Sequence, residues 1–148
     1  VALKEAQSEE FKAYAFQVVE NSKYLASQLI EQGIDIVGGR SENHVMTIDL
    51  TRLNKTGKDV ANLLESVGIT ANKNTVPNDP QSPFVTSGVR IGTAATTTRG
   101  MKKPQMKEIA SIIADAILER DSIENLRKRS LELCKQFPLY ENMLLTRV

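Results

Sequence analysis

The stretch NKNTVPNDPQSPFVTSGVRIGTAATTTRG, residues 72–100, decides how the chain is read. Its first half carries Asn72, Asn74, Pro77, Asn78, Asp79, Pro80 and Pro83, which rule out a regular helix or a central strand. Residues 69–84 therefore read as one long loop, and such loops inside compact domains tend to be functional or disordered. Three prolines beside apolar Val76, Phe84 and Val85 point to an ordered loop. Regularity returns in a short strand, Val89-Arg90-Ile91. Period-two alternation puts Val89 and Ile91 on the core face and Arg90 on the opposite one.

Upstream, Phe11, Tyr14, Ala15, Val18, Ser22, Leu25, Ala26 and Leu29 repeat at amphipathic-helix spacing. Ser8 suits its N-cap, Glu9 and Glu10 its positive end, and Gly33 its exit. Two strands are predicted next, over residues 34–37 and 44–50, with Gly38-Gly39 as a turn between them. Thr56 and Asp59 have capping-box spacing and open a helix through Val60, Leu63, Leu64 and Val67, which Gly68 ends.

Downstream, a helix runs through Met106, Ile109, Ala110, Ile113 and Ile117, with Pro104 in its first turn. A last helix starts at a second capping box, Asp121 and Glu124, carries Ile123, Leu126, Leu133 and Cys134, and stops before Pro138. Strands and helices do not alternate strictly, which argues against a doubly wound parallel sheet. The order predicts an α+β domain: a small, mainly antiparallel sheet with helices packed on one face.

A chain of 148 residues fits one domain. It buries roughly two thirds of its unfolded surface, enough to need no disulfide or metal staple. Nineteen basic residues nearly balance eighteen acidic ones, so the basic excess of a nucleic-acid binder is missing. The one cluster, Arg127-Lys128-Arg129, reads as a solvated helix face. A single cysteine allows no internal disulfide and points to a reducing compartment. No apolar run approaches the ~20 residues of a membrane span, and no signal peptide is recognisable, so a cytoplasmic location is expected. The opening residues read as helix without an initiator Met, the expectation for a chain cut from something longer.

Arg90 is the sharpest candidate for chemistry. It lies between Gly88 and Gly92, which would let the backbone approach a ligand. Its guanidinium matches a carboxylate or phosphate through two parallel hydrogen bonds. A hydrogen bond to a charged group contributes about 1.5–3 kcal/mol. A surface arginine on an edge strand fits the same spacing. The Asn side chains at 72 and 74 both donate and accept, which suits the edge of a nitrogen heterocycle, but a loop that only packs fits equally. His44, at the head of a strand, reads as packed or hydrogen-bonded, and Cys134 as core. With one His and one Cys far apart, zinc and Cys–His chemistry have little support. Thr96-Thr97-Thr98-Arg99 reads as a helix cap, and no glycine-rich phosphate loop is present.

The run at residues 72–93, followed by Thr97-Thr98-Arg99-Gly100, resembles the C-terminal domain of bacterial serine hydroxymethyltransferases. Asn43-His44 and Gly68-Ile69-Thr70 fall where that family has them, and the resemblance reaches from the first helix to about Tyr140. It implies the small domain of the fold type I pyridoxal-phosphate enzymes, with residues 1–148 forming that single domain and the large cofactor-binding domain absent. It implies reversible transfer of the serine hydroxymethyl carbon to tetrahydrofolate, yielding glycine, in a cytoplasmic homodimer. Pyridoxal phosphate would be the cofactor, held mainly by the large domain, and the chain alone would be inactive.

On that resemblance Arg90 clamps the substrate α-carboxylate, Asn74 meets the folate ring, and Ser82, Pro83 and Phe84 contact tetrahydrofolate. Thr97, Thr98 and Arg99 match a motif of structural role. No catalytic residue or metal ligand is implied here. The family's Schiff-base lysine motif is missing, and the tail at 141–148 matches nothing in the family. Ala94 and Thr96 replace a common Pro and an aliphatic residue, which implies a looser turn. Two alternatives stay open: the small domain of another fold type I enzyme, such as an aminotransferase, or a free-standing binding module.

Overall fold

Ser8 starts the long N-terminal helix by accepting the Phe11 N–H at 3.1 Å. The computed structural model describes residues 1–139, and the tail at 141–148 lies outside them. A single turn, α1 (Ala2–Glu5), precedes α2 (Glu9–Glu31). Gly33, at φ +88°, reverses the chain behind α2, a conformation that costs glycine little. Then follow β1 (Asp35–Ile36), β2 (Val45–Asp49), α3 (Gly57–Ser66), β3 (Asn72–Asn74), β4 (Gly88–Gly92), α4 (Ala94–Thr98), α5 (Lys103–Ile117) and α6 (Ile123–Gln136).

The four strands pair antiparallel throughout, in the order β1-β2-β4-β3. Alternation sends Met46 and Ile48 of β2 and Val89 and Ile91 of β4 into one core with Leu25, Leu29, Leu64, Ile113 and Ile117 of the helices. Each such side chain contributes about 1.5–3 kcal/mol by leaving water. On the other face Val45, Thr47 and Asp49 are half-buried and Arg90 is exposed. The domain is α+β with its helices over one face of the sheet, as the element order predicts.

The expected ordered loop is ordered, but its first residues form a strand. Asn72 to Asn74 pair with β4 as β3, an edge strand that also packs against α3. A helix, α4, forms where the threonines were read as a cap. There Thr97 Oγ1 donates to Thr93 O at 2.7 Å and Thr98 Oγ1 to Ala94 O at 3.0 Å, so the hydroxyls bond backward to carbonyls. The turn at Ala94 and Thr96 is tied by hydrogen bonds: Thr96 Oγ1 donates to Thr93 O at 3.0 Å and Tyr14 Oη to Ala94 O at 3.2 Å.

Three further readings change. The last helix is capped by Ser122, whose Oγ accepts the Asn125 N–H, while Asp121 Oδ1 accepts from Ser122 N and Asn125 Nδ2. The basic cluster is not simply solvated. Arg127 donates to Ser66 O at 2.9 Å, and Arg129 ties α6 to α5 through Glu108, Asp115 and Ser111, each at 2.9 Å. The Glu108 hydrogen bond and then Asp115 hold the Arg129 pKa above its ordinary value, against the pull of desolvation. Cys134 is half-buried rather than fully core.

Candidate functional site

Arg90 sits at the middle of β4 on the face the helices leave open. In the ladder it is flanked by Thr47 of β2 on one side and Asn72 of β3 on the other. Of the described arginines it stands apart. Arg40, Arg52 and Arg129 pair with carboxylates, and Arg99, Arg120 and Arg127 donate to backbone carbonyls. Beyond its backbone ladder, the Arg90 side chain has neither an ion pair nor a hydrogen bond among the described residues. Its five N–H donors face outward, unspent.

The flanking glycines serve a different purpose from the one read in the sequence. A Cβ at Gly88 would lie 2.7 Å from Val76 Cγ1 and 2.8 Å from Asn74 O. One at Gly92 would lie 2.9 Å from His44 O. The room they leave is filled from within the chain, by a buried valine and the neighbouring strands, not reserved for a ligand. His44 itself is exposed, and its carbonyl receives the Thr93 N–H at 3.0 Å.

The proline-rich loop returns to the sheet around Asp79. Its Oδ2 accepts from Val76 N at 3.1 Å and Ser87 N at 2.9 Å, and its Oδ1 from Gln81 N at 2.9 Å. Desolvation works to raise the Asp79 pKa, but the hydrogen bonds from Gln81, Ser87 and Val76 outweigh it and hold the carboxyl down at about 2. Lys73 Nζ closes the loop by donating to Phe84 O at 2.6 Å. So fixed, Ser82, Pro83 and Phe84 are exposed, the Phe84 side chain at 82%. Asn74 lies half-buried at the head of the loop, with Nδ2 donating to Thr75 O at 2.7 Å.

The arrangement brings Arg90 and Asn74 onto one sheet face, two residues apart in register, with the loop bearing Phe84 rising from the β3 edge. Sequence reasoning did not single out Thr47, Asp79 or Lys73. Thr47 becomes visible only through the β2–β4 register, and Asp79 only through its three backbone partners.

Pyridoxal phosphate needs a lysine amine and a phosphate cradle in a sheltered site. Every described lysine is exposed except half-buried Lys55, which pairs with Glu119. The described residues do not by themselves fit that cofactor. Nor does any group of three His, Cys, Asp or Glu among them suit a metal ion, and none of their helices is long and apolar enough to cross a membrane.

The chain is similar to known proteins of one family. The family model described as serine hydroxymethyltransferase matches residues 1–113. Serine hydroxymethyltransferases of Prochlorococcus marinus strains MIT 9301 and AS9601 are each 52% identical to the chain over 147 residues, and that of strain MIT 9312 is 51% identical. Each alignment covers 97% of this chain and 35% of the relative, so the chain spans about a third of the length of the curated relatives it matches. The chain belongs to the serine hydroxymethyltransferase family.

Proposed function

We propose that this chain is the C-terminal domain of a serine hydroxymethyltransferase, and that it supplies the substrate-carboxylate clamp and part of the folate wall of that enzyme. The interconversion of serine and glycine with transfer of the hydroxymethyl carbon to tetrahydrofolate would belong to the full-length protein. Pyridoxal phosphate supplies the electron sink of that chemistry when bound, and its site would lie in the two thirds of the relatives' length that this chain does not span.

One observation carries the reading. Arg90 is the single described arginine without an internal partner, on an open sheet face beside neutral groups. A fixed guanidinium accepts a carboxylate through two parallel bonds and so sets both the position and the rotation of an amino acid. Orientation of this kind determines which bond at the α-carbon is presented for reaction. Asn74 would offer its amide to the folate ring, and Ser82, Pro83 and Phe84 would form a wall against which that ring packs. Phe84 is apolar and 82% exposed, a combination that suits a surface completed by a ligand.

In the full-length enzyme, Arg90→Ala should lower kcat/KM for serine by about a hundredfold or more. Near-normal kinetics would remove the clamp assignment. The isolated chain should turn over no serine with added cofactor and folate; measurable turnover would contradict the division of labour proposed here.

A further inference from the structure

We infer that the neutral flanks of Arg90 are a specificity device: Thr47 and Asn72 keep acidic groups off the guanidinium, so that it stays free for an incoming carboxylate. The inference rests on the clamp reading of Arg90 given above.

Both neighbours are fixed by register. Thr47 and Asn72 lie directly across from Arg90 on adjacent strands. Side chains so placed share a face, with Cβ atoms about 4.5–5.5 Å apart, well within reach of an arginine. A carboxylate at either position would find the guanidinium at once, because opposite charges across a ladder pair readily. It would satisfy the donors that Arg90 now leaves unspent and would repel an arriving carboxylate.

The acids on the same face are committed elsewhere. Asp49 lies one diagonal step from Arg90, but its Oδ1 accepts the Thr51 N–H at 2.9 Å, and it makes no ion pair with Arg90. Asp35, opposite Asp49 on β1, pairs with Arg52 at 3.1 Å. Thus Asp49 and Asp35 each have a partner elsewhere, and neither pairs with the Arg90 guanidinium. A solvated surface arginine has no need of such an arrangement, whereas a carboxylate receptor does.

The test compares Asn72→Asp, Asn72→Ala and Arg90→Ala in the full-length enzyme. Asn72 is exposed, so neither substitution at 72 should impair folding. Asn72→Asp should raise KM for serine about tenfold or more while kcat at saturating serine changes little, since an internal carboxylate competes with binding but leaves the bound geometry intact. Asn72→Ala should stay within about threefold of wild type. In the 148-residue chain, a carbon-detected pH titration should find the new carboxyl of Asn72→Asp below the ordinary aspartate range.

The inference is overturned if Asn72→Asp leaves KM within about threefold while Arg90→Ala raises it, or if Asn72→Ala raises KM as much as Asn72→Asp. An ordinary titration of the new carboxyl would also overturn it. If Arg90→Ala itself leaves serine kinetics intact, the clamp reading fails instead, and the two failures are told apart.

Discussion

Gly57 and Gly88 meet backbone to backbone. Gly57 N donates to Thr86 O at 2.9 Å, and a Cβ added at Gly57 would overlap both the Gly88 carbonyl oxygen and the Thr86 hydroxyl. The first turn of α3 thereby seats the end of the proline-rich loop and the start of the strand that carries Arg90. Lys58 N extends the contact by donating to Val85 O at 3.1 Å.

Gly57→Ala should therefore destabilise the chain by about 3 kcal/mol, because the obstructing atoms are largely backbone and have nowhere to go. A denaturant or thermal melt reads it. A loss below about 0.5 kcal/mol would show that α3 can shift without disturbing β4.

Asn21 is a second point of control, inside the α2–α4 contact. Wholly buried, it donates through Nδ2 to Thr97 Oγ1 and to Met101 O, both at 2.9 Å, and accepts from Gln17 at 2.9 Å. Asn21→Leu keeps the approximate volume but strands the Met101 carbonyl. The expected loss is about 2 kcal/mol in equilibrium unfolding, and an unchanged midpoint would contradict the network.

Asp79 predicts a pH dependence. Its carboxyl lies near 2 in the fold against an ordinary 3.8. A lowered folded-state pKa means that the ionised form stabilises the fold above the unfolded value, and that this contribution is lost as pH falls from about 4 toward about 2. Asp79→Asn removes it at every pH. The stability gap between wild type and variant should be widest above pH ~4 and close toward pH ~2. A gap that stays constant over that range would contradict the hydrogen-bonded carboxylate.

Phe84→Ala separates folding from binding. With its side chain 82% exposed, its removal should leave stability within about 0.5 kcal/mol. Folate-analogue affinity in the full-length enzyme should fall about tenfold, the usual scale for a stacked aromatic lost from a site. Unchanged affinity would remove Phe84 from the folate wall.

Local signals were legible where the residues themselves decide. Ser8, Thr56, Gly33 and Gly68 mark their helix ends as read, and alternation placed Val89 and Ile91 inward and Arg90 outward. The misreadings fall where distant residues decide. Asn72-Lys73-Asn74 has little strand preference of its own and is a strand only because β4 lies beside it. Thr96, Thr97 and Thr98 are poor helix formers, and α4 forms because Asn21 and Tyr14 hold it from α2. Gly88 and Gly92 looked like room for a ligand, but Val76 and His44, remote in sequence, explain them. Capping-box spacing points to Asp121 as the start of the last helix, whereas Ser122 is the residue whose side chain accepts the Asn125 N–H. The candidate site divides the same way: Arg90 stands out as a candidate from its residue type and spacing, while the Thr47–Arg90–Asn72 row required the register of three strands.

The central claim is that Arg90 holds the substrate carboxylate, and the most direct measurement is equilibrium binding of two ligands to one variant. Glycine and a folate analogue should be titrated separately into the full-length wild-type enzyme and into Arg90→Ala. The account predicts glycine binding weakened about ten- to a hundredfold, the equivalent of one charge-assisted contact, with folate-analogue binding changed by less than about twofold. Glycine binding that remains within about twofold of wild type would contradict it.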